Sequence, residues 1–333
     1  MRRTVPVLKE LLLVLVLGVL VLGSYLGCQS QSTGRVYRIG LGPWVGFGPL
    51  YLAQEKGFFQ EVGIKVELIV LAGLSERNSA LKSGKLDALA APVDYFVQSA
   101  GNHLETTIVM AIDESVGGDG IVANSSIQRV EDLRGKRVAF QRGLPSEFFL
   151  RALLYQHKMR LDDLNTVDME TAQAGAAFLT KRLDAAVLWE PWLTKAREEG
   201  NGHKLASTRE YPNLIVDALA FNKNVVARYP QDVQGIVNAI LKAIEYWKEH
   251  PQDANKIMAP YFQVDAVKYA EILRGLKFCG LNRNREYFGS AGSPRPIFDI
   301  AERASAIWQE AKVIITPVKP ESVISVKFVT EAK

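Results

Sequence analysis

The chain has 333 residues, 48% of them hydrophobic and 23% charged, with a formal net charge of +4. This is the make-up of an ordinary globular protein. The charge falls to about +2 once residues 1–27 are set aside, which argues against a nucleic-acid binder with its basic patch or stripe. The remaining stretch of about 300 residues is too long for one small core and fits two lobes.

The chain opens with a basic start (Arg2, Arg3, Lys9), a mostly apolar run over residues 11–26 and a break at Gly27-Cys28. That order predicts a secretory signal peptide over residues 1–27, and the apolar run is short for a membrane span. Cys28 directly after Gly27 matches a lipid-acceptor cysteine, although Tyr25 and Leu26 depart from that motif. Lipidation at Cys28 is the expectation, with ordinary cleavage or an uncleaved anchor as alternatives. Residues 28–35 read as a polar tether. The other cysteine, Cys279, sits in an apolar setting and reads as core filler, so no disulfide framework is expected.

From residue 36 strands and helices alternate. Strands are predicted over 36–41, 64–70, 86–91 and 106–112, with helices over 48–59, 74–83 and 92–100 between them. The series then restarts, with strands over 136–140, 166–169 and 184–188 and helices over 145–157, 172–181 and 191–199. Such alternation indicates parallel α/β sheets. The two series share a local sequence, KLDALAAPVDY at 85–95 and RLDAAVLWEPW at 182–192, which points to two similar lobes. After Gly200 come a strand over 214–221 and helices over 230–249, 252–261, 265–277 and 298–311. Residues 117–121 and 213–221 read as the passages between lobes. The expected organisation is residues 36–118 and 218–315 for lobe one, 119–217 inserted as lobe two, and 316–333 as a C-terminal tail.

Ligands of open α/β sheets bind beyond the carboxyl ends of the strands. Trp189-Glu190-Pro191 lies at such an end, as do Trp44–Gly48, Pro92-Val93-Asp94 and Gly143–Ser146. Trp192 reads as a core anchor and Pro191 as a first-turn residue of a helix. Two helix N-termini, after Trp44–Gly48 and at Ser146, could cradle an anion. Acidic residues point the other way: Asp94, Asp113, Asp119, Glu190 and Asp217, with Ser115 nearby and Trp44, Phe47 and Trp189 for ring faces, could hold a cationic or amine-bearing group. Arg142 is the one obvious basic residue near them. A zwitterion or nitrogen heterocycle is therefore favoured over a bare oxyanion. The four histidines show no metal-ligand spacing, and neither a nucleophile-elbow nor a phosphate-loop motif is present. No cofactor and no catalytic residue are expected.

The stretches GPWVGFGPLYLAQEKGFFQEVGIKVEL, SGKLDALAAP, VEDLRGKRVAF, AGAAFLTKRLDAAVLWEPWL and PQDVQGIVNAILKAIEYWKEHPQDA resemble bacterial ABC-transporter solute-binding proteins of the sulfonate, taurine, nitrate and thiamine-pyrimidine group. The resemblance spans about residues 36–275. It implies a type II periplasmic-binding-protein fold that closes on a small molecule and presents it to a membrane permease and its ATPase. The signal and Cys28, read independently, fit such an extracytoplasmic, membrane-anchored receptor, and a monomer is expected. The alternatives are an oxyanion-binding protein, a sensor, or an enzyme of pyrimidine-precursor synthesis. The fungal synthases similar to this group carry a cysteine-rich motif that this chain lacks.

Overall fold

The structure, a computed structural model, describes residues 34–289 and 293–333. The predicted signal peptide, Cys28 and most of the tether lie outside the described residues. No described helix is long and apolar enough to cross a membrane.

Two sheets organise the fold. The first contains β1 (Val36–Leu41), β2 (Lys65–Val70), β3 (Ala88–Pro92), β4 (Thr106–Ser115), β10 (Val216–Asn222) and β11 (Leu276–Phe278), in the order β11-β4-β10-β3-β1-β2. The second contains β5 (Asp119–Ala123), β6 (Arg137–Phe140), β7 (Asn165–Asp168), β8 (Ala185–Trp189) and β9 (His203–Ser207), in the order β7-β6-β8-β5-β9. In each, three parallel strands are followed by one antiparallel strand, β10 beside β3 and β5 beside β8. That antiparallel strand is the one that has just crossed from the other sheet. The two lobes therefore repeat one another over five strands, β11 having no counterpart in the second sheet.

The repeated local sequence has a common structural role. Asp87 accepts a hydrogen bond from the Arg38 backbone N–H at 2.9 Å, and Asp184 accepts one from that of Arg137, also at 2.9 Å. Each aspartate thus pins its lobe's third strand to the first. The following Ala-rich strands, β3 and β8, are buried throughout, as central strands covered by helices on both faces must be.

The strand and helix expectations hold for most elements, and helix Pro230–Glu249 begins and ends where expected. Four differ. The helix expected over 48–59 stops at Glu55, because Gly57 takes a left-handed φ of 74°, and a short helix Phe58–Glu61 follows. The helix expected over 265–277 ends at Ile272; beyond a tight turn, Gly275 offers its carbonyl to Val116 and Gly118 N–H at 2.8 and 3.0 Å, and Leu276–Phe278 joins β4 as β11. The passages placed at 117–121 and 213–221 are shorter than expected. Residues 116–118 and 211–215 make the crossings, while the apolar runs after them are buried strands β5 and β10. Strand β9 has weak apolar alternation and went unpredicted.

Residues 316–333 run back onto the first sheet. Ile324 bridges Ile108 of β4, and Phe328 and Val329 are buried. Cys279 is fully buried among apolar neighbours, as expected of core filler.

Candidate functional site

The ends of β1, β3, β6 and β8 converge with the starts of β5 and β10 on a small cavity of about 30 Å³. Its walls include Trp44, Phe47 and Trp189, with Asp119, Asp217 and Arg77 among the polar groups. Pro43, Pro92 and Pro145 supply three further wall positions, one following β1, one closing β3 and one following β6. Both lobes contribute, at the strand ends where ligands of such sheets bind.

The repeat places the acids. Asp217 opens β10 and pairs across the sheet with Pro92, the last residue of β3. Asp119 opens β5 and pairs with Trp189, the last residue of β8. The two carboxylates are thus equivalent groups presented by the two lobes. On its other side Asp217 is directly opposite Asp113 of β4, a like-charge pairing that a sheet adopts at a cost.

Asp113 lies behind Trp44 and accepts from its Nε1 at 3.2 and 3.4 Å. This contact depends on Gly46, since a Cβ there would overlap both the Asp113 carboxylate and the Trp44 indole nitrogen. Asp94 is buried in the first turn of helix Val93–Gly101, and neither of its oxygens has a hydrogen-bond partner among the described residues. The same is true of Asp119 Oδ2 and of Trp189 Nε1.

Burial dominates the electrostatics. It pushes Asp94 up to about 8, with the Asp119 charge adding to the shift, and Asp113 up to about 8 despite the Trp44 hydrogen bond. It pushes Asp119 up to about 7, against the opposing hydrogen bond at Ser115. Asp217 rises well above the ordinary carboxylate range through burial and then the Asp113 charge. Carboxyl groups perturbed together in one cleft mark a candidate site.

Arg77 is the basic group of the cavity wall, and sequence reasoning missed it. It lies in helix Leu74–Lys82 within the polar string LSERNS, which looks like a solvated face. Its Nε donates to the Leu71 carbonyl at 2.7 Å and one terminal nitrogen donates to that of Ala72 at 3.2 Å. Burial lowers its pKa, opposed by charges that include Asp217. Arg142, the basic residue expected nearby, instead points outward and lies 3.8 Å from Asp168.

Of the predicted residues, Trp44, Phe47, Asp119, Trp189 and Asp217 line the cavity, while Asp94 and Asp113 stand behind the wall. Two have other duties. Ser146 accepts from Gln141 N–H and donates to the Gln141 carbonyl, and the neighbouring Glu147 takes the Gly143 N–H at 2.7 Å. The expected anion cradle in lobe two is thereby filled from within the protein. Glu190 is buried, accepts from the Thr194 hydroxyl at 2.7 Å and its N–H at 3.1 Å, and so serves the first turn of helix Trp192–Glu199. The carboxylate between two tryptophans is a helix-capping group that also raises the pKa of Asp119. Pro191 is that helix's cap rather than its first residue. Trp192, expected in the core, is only half-buried, with Lys195 over its ring at 5.9 Å.

Comparison with known proteins agrees with this fold. A family model described as NMT1/THI5 like matches residues 44–254, more than half of the chain. A binding protein of Brucella abortus (strain 2308) is 25% identical over 218 residues, covering 64% of this chain and 67% of its own. An aliphatic sulfonates-binding protein of Bacillus subtilis (strain 168) is 23% identical over 278 residues, covering 80% and 82%. Among solved structures, the periplasmic aliphatic sulphonate binding protein SsuA from Escherichia coli superposes with a TM-score of 0.72 at 17% identity, over 87% of this chain and 92% of that one. The desulfurization enzyme DSZB reaches 0.65 at 16% identity, over 89% and 97%. At these identities the structural matches establish the fold alone, that of the two-lobed periplasmic binding proteins.

Proposed function

This chain belongs to the NMT1/THI5-like family, and from that premise we propose that it is the solute-binding subunit of an ABC importer. It captures a small organic molecule between its lobes and delivers it to a membrane permease driven by an ATPase. The observation that carries this reading is the cavity itself, walled by Trp44 and Phe47 from one lobe and Trp189 from the other. Relatives named as binding proteins support it. The basic-apolar-Gly-Cys start supports an extracytoplasmic location with a lipid anchor at Cys28, the protein acting as a monomer.

Binding rather than catalysis is favoured by those relatives. The enzyme with the same fold shows that the fold does not decide the matter, since function resides in the site. Purified protein exposed to candidate solutes should gain stability, by about 2.7 kcal/mol at a hundred times the dissociation constant, without consuming them. Steady turnover would replace the transport reading with an enzymatic one. For the anchor, the native membrane fraction should retain the protein and lose it on Cys28→Ser substitution.

A further inference from the structure

Resting on the solute-binding reading, we propose that the solute is a compact organic cation, a protonated amine or amidine, bridged between Asp217 of lobe one and Asp119 of lobe two, with an acceptor atom facing Trp189 Nε1.

The charge inventory comes first. Around the cavity stand Asp94, Asp113, Asp119 and Asp217, against one buried cation, Arg77. Two Arg77 nitrogens already donate to backbone carbonyls, and the charge of Asp217 opposes its own. An anion entering here would meet one partly committed guanidinium and a surplus of acids. Pro43, Pro92 and Pro145 occupy strand-end positions from which an anion site would draw N–H donors, and proline has none. The Gly143 N–H is taken by Glu147.

The unpartnered atoms come second. Asp119 Oδ2 and Trp189 Nε1 are buried without partners among the described residues, and both residues line the cavity. Leaving such groups unsatisfied costs free energy, so their place in the wall points to a ligand that satisfies them. One is an acceptor and one a donor, and they are cross-strand neighbours. A ligand carrying an N–H-bearing cation beside an acceptor atom answers both. The faces of Trp44, Phe47 and Trp189 favour the same charge.

The lobe repeat comes third. Asp119 and Asp217 are equivalent residues from opposite lobes, and the charge of Asp119 opposes ionisation of Asp217. A cation between them, or protonation of both, removes that repulsion.

Several groups set the protonation of this pair. Asp119 is influenced by Ser115 and Glu190, and Asp217 by Asp113, Asp119, Asp94 and Arg77. Behind them Asp113 also faces Glu114, Tyr269 and Cys279. With Asp119 pushed up to about 7, a cation that requires it ionised must expel a proton below that pH. Asp217, also raised, must ionise as well, so affinity for a cation rises at least tenfold between pH 6 and pH 8, and protons are released on binding.

The test identifies, by mass spectrometry, small molecules released from full-length purified protein. If none is retained, benzamidine, benzamide, benzenesulfonate and nitrate are titrated calorimetrically at pH 6, 7 and 8, alongside an envelope extract. The expected result is a cation, with affinity rising at least tenfold over that range. Asp119→Asn and Asp217→Asn should each lower affinity at least tenfold while the circular dichroism spectrum is kept. A neutral or anionic preferred ligand, or affinity falling as pH rises, overturns this inference and leaves the solute-binding reading standing. If neither the extract nor any probe binds, the solute-binding reading fails and takes the inference with it.

Discussion

Asp119 shows how far a single side chain departs from its ordinary chemistry at this site. Its folded pKa of about 7 lies above the value of about 3.9 for an unfolded aspartate. Between those values the folded state holds a proton that the unfolded state has lost. Its contribution to stability is therefore complete below about pH 4 and is lost as pH rises through 7; Asp94 and Asp113 behave alike, through about 8. Ligand-free protein should accordingly melt at a lower temperature at pH 8 than at pH 6. Asp119→Asn should flatten that drop and stabilise the protein at pH 8, on the order of 1–4 kcal/mol. Thermal melts of both proteins across this range check it, and an unchanged slope in the variant would count against a buried, proton-holding Asp119. That Asp94 follows a strand end was legible in the sequence, whereas Asp113, expected after a strand, lies inside β4. That Asp113 stands behind Trp44, or that Glu190 caps its own helix, was not, because both depend on which neighbour reaches them first.

At the scale of elements, the repeat was the most informative signal. The two basic-Leu-Asp-Ala blocks predicted equivalent third strands, and the structure gives Asp87 and Asp184 the same bond to the first strand of each lobe. Removing either carboxylate leaves a strand N–H without that acceptor. Asp87→Ala and Asp184→Ala should each cost about 1–3 kcal/mol in chemical denaturation, and marked inequality would argue that the blocks are not equivalent. Elements were lost where local pattern and tertiary context conflict. Residues 119–123 follow a glycine pair and looked like a linker, yet β8 and β9 flank them on either side and make them a central strand. Residues 276–278 continued a helical pattern until Gly275 turned to meet the crossing at Gly118. Arg77 escaped notice for a similar reason, since nothing in LSERNS marks one of its polar residues as buried.

Across the whole molecule the two lobes are held by more than the crossings. Lys268, on lobe-one helix Ala266–Ile272, donates to both oxygens of Glu198, on lobe-two helix Trp192–Glu199, at 3.0 and 3.1 Å. The pair is partly exposed at the cleft rim, so it contributes at most about 1 kcal/mol and weakens with salt. Lys268→Ala should speed ligand release severalfold at low ionic strength and hardly at all at 1 M salt, as read by stopped-flow fluorescence. An equal effect at both salt concentrations would mean that the pair does not act as a charge latch.

The central claim is that the solute sits between the lobes against Trp189. It is tested most directly by calorimetric titration of wild type, Trp189→Ala and Trp192→Ala with the molecule released from the protein. Trp189→Ala should weaken binding by about 1–3 kcal/mol, as loss of an aromatic anchor does. Trp192→Ala, whose half-buried ring lies outside the cavity wall, should bind within a few tenths of a kcal/mol of wild type. Normal binding by Trp189→Ala, or equal losses in both variants, would contradict it.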